Sequence, residues 1–168
     1  GLFSHMTPYL SDIGYEPVQA AKFISIMSIT MAISKVVFGW LNDRIGTFMN
    51  FMILMAISVI GMASLLFAQS EAIAYIASFG FGVAFSTTNL LSPLITVHAL
   101  GGKDFSNIFG LVSFAIYLGP LISSPLSGMI YDHFGNYSIA VIFYTVLYAL
   151  ALVVGFFVLR HGYTEKKD

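Results

Sequence analysis

Polar residues break this chain into long apolar runs. The runs cover about residues 19–40, 48–69, 72–100, 107–131 and 137–160, after a short apolar stub over about 1–11. Each full run reaches the roughly 20 residues that an α-helix needs to cross a hydrocarbon core. None shows the strict alternation of a barrel strand. Backbone at membrane depth must satisfy its own hydrogen bonds, which leaves helix. The pattern therefore predicts an all-α membrane protein with five full transmembrane helices plus a partial one. The links at 11–18, 41–47, 70–71, 101–106 and 132–136 are short, so sequential helices should be antiparallel neighbours in one bundle. Pro17 stands where a helix start tolerates proline. The opening Gly1-Leu2-Phe3-Ser4-His5-Met6 reads as the second half of an apolar helix whose first half lies upstream.

Composition agrees. Hydrophobic residues make up 58% of the 168 and charged ones 9%, against about 25% charged in soluble domains. A net charge of −1 with no basic patch argues against nucleic acid as a partner. With no cysteine, disulfides and thiol metal sites are excluded. No Ser/His/Asp grouping at depth, Walker-type loop or metal-spaced histidine pair is present, so the sequence points to no enzyme, no metal and no cofactor. Arg44, Lys103, Arg160, Lys166 and Lys167 fall on one side of the predicted bundle. Lys22 stands on the other with Asp12, Glu16, Glu71 and Asp132. The lysine/arginine bias makes the first side cytoplasmic and puts the C-terminus there.

One charge breaks this order. Lys35 lies inside the first full run, where a lysine near the bilayer centre costs about 2.5–3.5 kcal/mol on insertion scales. On a helical wheel at about 100° per residue, Ala21, Ser25, Ser28, Ala32, Lys35, Gly39 and Asn42 share one sector of roughly 100°. The bulky Ile26, Met27, Ile29, Ile33, Val36 and Val37 lie outside it, and Ile24 stands at its edge. Such a small, polar face packs closely on another helix or lines a watery path. Lys35 could also snorkel to the headgroups, since it stands four to five residues, roughly 6–8 Å, short of the expected turn. All eight acids lie in links or at helix ends, so a partner at depth would be a transient anion or a group outside this chain.

Other polar positions rank behind it. Pro93, Pro120 and Pro125 fall inside predicted helices and are expected to kink them, freeing the carbonyls of Asn89, Ile116 and Leu121. Broken, small-residue helices line the cavities of transporters, although simple packing kinks explain the prolines equally well. Tyr117 and Asn89 are candidate substrate contacts at mid-depth, with a structural bond between helices as the other reading of Asn89. His5 is a candidate for substrate or proton contact, or a satisfied interior histidine. Gly80 and Gly82 suit close helix packing.

Residues 39–46, Gly-Trp-Leu-Asn-Asp-Arg-Ile-Gly, resemble the G-x-L-x-D-R-x-G turn of the major facilitator superfamily, where it joins the second and third helices of each six-helix half. With the runs around it, the resemblance covers residues 1–168 and implies half of a twelve-helix bundle, from mid-helix seven to helix twelve. It implies a conformational latch at Gly39, Asp43, Arg44 and Gly46, in which Asp43 faces the positive end of a helix in the missing N-terminal half. His5, Pro8, Tyr9, Asp12 and Gly14, with the stretch 20–46, are similar to the start of the second half of monocarboxylate transporters and oxalate–formate antiporters. So is the stretch 119–137 to that family's eleventh-to-twelfth helix region. Lys35 stands where those relatives often carry an arginine, four residues before the glycine that opens the turn, a cation thought to bind the substrate carboxylate. Met31 replaces a carboxylate found in some animal relatives, and no second cation occurs between Asn107 and Tyr131. The resemblance thus implies secondary transport of a small organic anion, a monocarboxylate rather than a dianion, across a cell membrane. A proton or a counter-anion is the candidate coupling partner. The competing readings are a facilitator for a drug or sugar and a non-transporting, transporter-like sensor.

Overall fold

A computed structural model describes residues 1–100 and 105–164. Lys103, Lys166 and Lys167, on which the expected orientation partly rests, lie outside them. The elements are a 3-10 turn at Leu2–His5, then α1 (Met6–Asp12), α2 (Pro17–Ser64), a 3-10 turn at Leu65–Phe67, α3 (Glu71–Leu100), α4 (Phe105–Phe134) and α5 (Ser138–Thr164). The stub is therefore not one continuous α-helix: its first four helical residues are wound tighter than the rest. Pro17 does begin a helix, and Glu16 and Gln19 close a reciprocal cap around it.

At 1.5 Å per residue, the 48 residues of α2 would span roughly 72 Å if straight. They do not. Tyr15, just before α2, donates its hydroxyl to the Ala68 carbonyl at 2.8 Å, so the chain has folded back on itself. The reversal is made at Gly46, with φ 79° and ψ 163°, the only residue of α2 outside helical geometry. A side chain bearing Cβ scarcely reaches that region. The expected seven-residue link at 41–47 is thus a one-residue turn between two arms, 17–45 and 47–64. Asp43 and Arg44 sit on the last helical turn of the first arm.

The two arms and α3 form the packed centre. Gly61 on the second arm and Gly80 on α3 meet backbone to backbone, and a Cβ on either would overlap the other. At Gly82 a Cβ would stand 2.5 Å from the Met27 carbonyl oxygen and 2.8 Å from Thr30 Cβ on the first arm. The expectation of close packing at Gly80 and Gly82 therefore holds, and its partner Gly61 carried no signal in the sequence. Ser58 and Thr87 hydrogen-bond across the same contact at 3.2 Å, both buried. One apolar core, including Met6, Leu10, Phe23, Met27, Met62 and Phe81, joins α1 to this centre. A second, built from Phe51, Leu54, Met55, Val83, Leu91 and Leu159, draws in α5 near the other end. The helix α4 adds no buried member to either core: Ile130 and Tyr131 near its end pack against the first, and Ser127 is its one buried residue. Helices α3 and α4 run on through Pro93, Pro120 and Pro125, so the prolines remove ladder bonds without ending either helix.

Candidate functional site

Between the Leu2–His5 turn, α3, α4 and α5 lies a cavity of about 490 Å³. Asn89 and Tyr117 both line it, so the fold brings together two of the four expected contact residues. Thr88, Ser123, Tyr144 and Tyr148 supply further hydroxyls, and Phe81, Phe85 and Pro120 are among its apolar walls. The backbone adds to this polarity. Pro93 and Pro120 have no N–H to offer the carbonyls four residues earlier. Those carbonyls belong to Asn89 and Ile116, both lining residues. The prolines thus leave acceptors at this wall of the bundle, and no lining side chain carries a charge. Tyr148 donates to the Ala84 carbonyl at 3.0 Å and stands between this cavity and a smaller one of about 360 Å³ against the second arm of α2. Tyr144 donates to the Ser123 carbonyl at 2.8 Å and meets the buried Ser127 hydroxyl at 2.8 Å. Sequence reasoning missed both tyrosines, since nothing in their spacing separates them from core aromatics.

Lys35 is elsewhere. It is exposed on the first arm of α2 and does not line the cavity. Its wheel neighbours Ala21, Ser25 and Ala32 are exposed as well. The opposite face, with Ala20, Phe23, Met27, Thr30 and Ser34, is buried. Ser28, Gly39 and Asn42 of the same stripe are half-buried, so the stripe faces away from this chain's own core at Ala21, Ser25, Ala32 and Lys35. Among the described residues Lys35 has no ion-pair partner. Because the arm stays helical to residue 45, Lys35 is ten residues, roughly 15 Å, from its end.

His5 is half-buried and not on the cavity wall either. Its Nε2 lies 3.1 Å from the Ser124 carbonyl oxygen and its Nδ1 lies 3.3 Å from the Tyr137 hydroxyl. Of the expected latch residues, Gly46 makes the reversal, and Asp43 and Arg44 are exposed. The Arg44 guanidinium lies over the Trp40 ring, 4.3 Å from its centre. A Cβ on Gly39 would meet Leu90 at an ordinary 3.9 Å, so packing within this chain does not require glycine there. Unforeseen beside the turn is Asn50, fully buried, which donates to the Asn42 side-chain oxygen at 3.4 Å across the reversal.

Comparison with known proteins agrees with this architecture. Human monocarboxylate transporter 12 is 28% identical over 143 residues, which is 83% of this chain and 28% of that protein. Monocarboxylate transporter 13 of Bos taurus is 28% identical over 144 residues, 81% of this chain and 32% of that protein. Monocarboxylate transporter 12 of Xenopus laevis is 26% identical over 163 residues, 90% and 35% respectively. The chain thus spans about a third of the length of the curated relatives it matches. No solved structure matches it. Four described helices, one of them the folded α2, are long and apolar enough to cross a membrane, and the protein is an integral, multi-pass membrane protein. The family model of the Major Facilitator Superfamily matches residues 1–168, and the chain belongs to that superfamily.

Proposed function

We propose that the chain is the C-terminal six-helix half of a secondary transporter that carries a small organic anion, a monocarboxylate, by alternating access. The observation that carries the reading is Lys35: a lysine deep in a spanning arm, on a small polar stripe turned away from its own core. Such a stripe suits a water-filled path between two halves, and a bound carboxylate would keep the lysine charged there. The similar proteins named monocarboxylate transporters support the same substrate class. In this reading Lys35 holds the carboxylate, and Asn89 and Tyr117 contact the rest of the substrate. Asp43 and Arg44 belong to a latch against the N-terminal half. The lysine and arginine bias puts the Gly46 turn and the C-terminus in the cytoplasm. The protein moves its substrate without altering it. The deciding experiment is uptake by the full-length protein carrying Lys35→Gln. Anion uptake is expected to vanish while membrane insertion is unchanged, and near-normal uptake would sink the assignment.

One observation favours a second reading. The cavity that holds Asn89 and Tyr117 has no charged side chain on its wall, is mostly apolar with a few hydroxyls, and is separate from Lys35. A neutral solute with hydroxyl groups would suit it better than an anion. Uptake of a panel of neutral and anionic solutes into vesicles separates the two readings. A full-length protein that moves none of them would instead be a transporter-like sensor.

A further inference from the structure

We propose that His5 is a proton-sensitive clasp that fixes α4 against α1 and α5, and so sets the position of the cavity wall carried by α4. The hydrogen bonds define its neutral form. A carbonyl oxygen can only accept, so the Nε2 that meets the Ser124 carbonyl at 3.1 Å carries the proton. The Nδ1 at 3.3 Å from Tyr137 is then the acceptor, and the Tyr137 hydroxyl donates to it. Tyr137 is well suited to this, because burial, with Asp12, Tyr131 and Asp132 adding to it, pushes its hydroxyl above the usual tyrosine range. It stays a neutral donor.

Adding a proton to Nδ1 reverses that bond. The imidazolium donates from both nitrogens, and the Tyr137 oxygen must now accept while its hydrogen turns elsewhere. Both bonds become charge-assisted, which makes them shorter and roughly twice as strong. Asp12 accepts from the Tyr131 hydroxyl at 3.4 Å, and Tyr131 stacks on Tyr137 with ring centres 4.4 Å apart. The groups facing this cluster are Tyr9 and Asp12 from α1, Tyr131 and Asp132 from α4, and Tyr137 at the head of α5. None of them is a cation.

What the clasp holds is the loosest helix of the bundle. Its other polar and aromatic anchors are the Ser4–Ser124 contact at 3.1 Å, Tyr144 on Ser123 and Ser127, and Tyr131 on Asp12 and Tyr137, all within 123–131 of α4. Beyond Gly119 and Pro120, α4 is mostly exposed. Tightening at residue 124 therefore acts on a lever that carries Tyr117 and Pro120 of the cavity. The inference stands apart from the identity of the substrate and from Lys35.

The test uses the full-length protein in a cysteine-free background, with spin labels at the exposed positions Leu111 on α4 and Ile60 on α2. The distance distribution should narrow on going from about pH 8 to about pH 5, the window in which histidine changes charge. His5→Asn keeps a polar side chain that does not titrate, and should give one width at both pH values. Tyr137→Phe should lose most of the response. A wild-type width that ignores pH, or a narrowing that survives His5→Asn, overturns the proposal. Nitrogen NMR of His5 in the unsubstituted protein gives a second reading that needs no variant. A proton on Nδ1 and none on Nε2 at high pH would equally overturn it.

Discussion

Helices α3 and α4 are each 30 residues long, each apolar, and each carries proline. In α3, 56% of the most apolar stretch is buried; in α4 none of the corresponding stretch is. Hydrophobicity does not separate them, since α4 is the more apolar of the two. What separates them is small residues in register with a neighbour. In α3, Gly80 admits the second arm of α2 and Gly82 the first at backbone distance, and Ala74, Ala77 and Ala84 are buried beside them. In α4, a Cβ on Gly110 or Gly119 would meet nothing within 4 Å. In a bilayer, apolar surface gains little by leaving lipid, so helices are sorted by packing and hydrogen bonds. By that rule α3 is the fixed spine of this chain. The helix α4 is held by polar pins at one end and offers the rest of its length to whatever lies beside it.

The most direct way to break the contrast is to place the same bulk on each helix. Gly80→Leu forces a side chain into the Gly61 backbone and should cost about 3 kcal/mol, at the upper end of overpacking penalties. Gly110→Leu enters open space on α4 and should leave the detergent melting temperature nearly unchanged. Equal losses from both would mean that α4 is packed as tightly as α3.

A smaller effect is expected at the turn that gives α3 both its partners. Gly46→Ala puts a Cβ where φ is 79° and ψ is 163°, for about 1–3 kcal/mol of backbone strain. The first arm should then sit less firmly on α3, and spin-label distances between residues 29 and 76, both exposed, should broaden. Distances within α4 should not change.

This contrast also bounds what could be read from the sequence. Spans and reversals were legible because lipid demands about 20 apolar residues of every crossing helix. The glycine at residue 46 was legible as a turn because only glycine takes that conformation readily. Lys35 stood out because charge at depth is rare. Asn89 and Tyr117 were singled out by their chemistry, and the fold brings both, from α3 and α4, to the lining of one cavity. The pairing of Gly61 with Gly80 was not legible, because a close approach needs two glycines at the same height on different helices, and height depends on where each turn falls. The link at 41–47 was read as too long for a related reason: polar residues mark where helices leave lipid, not where they stop. Tyr144 and Tyr148 were hidden among fifteen per cent aromatic residues, without any local sign of the carbonyls they would meet.

The smallest effect gives the sharpest test, because it removes the same atom from two places one helical turn apart. Tyr144→Phe deletes a hydroxyl that joins α5 to α4 at Ser123. Tyr148→Phe deletes one that joins α5 to α3 at Ala84. Each should cost about 1 kcal/mol, the usual net worth of such a bond. For Tyr144 the loss is softened because Ser127 still donates to the Ser123 carbonyl at 2.8 Å. In dynamics the two should part. Without Tyr144, α4 keeps the contacts of Ser4, His5 and Asp12, the stack of Tyr131 on Tyr137 and its packing beside α3, and amide exchange over residues 119–127 should quicken several-fold. Without Tyr148, α3 is still gripped by the glycine contacts on both arms of α2, and exchange over residues 80–88 should stay as it was. If exchange in α3 quickened as much as in α4, its rigidity would have to come from hydrogen bonds to α5 rather than from the Gly61 and Gly82 contacts.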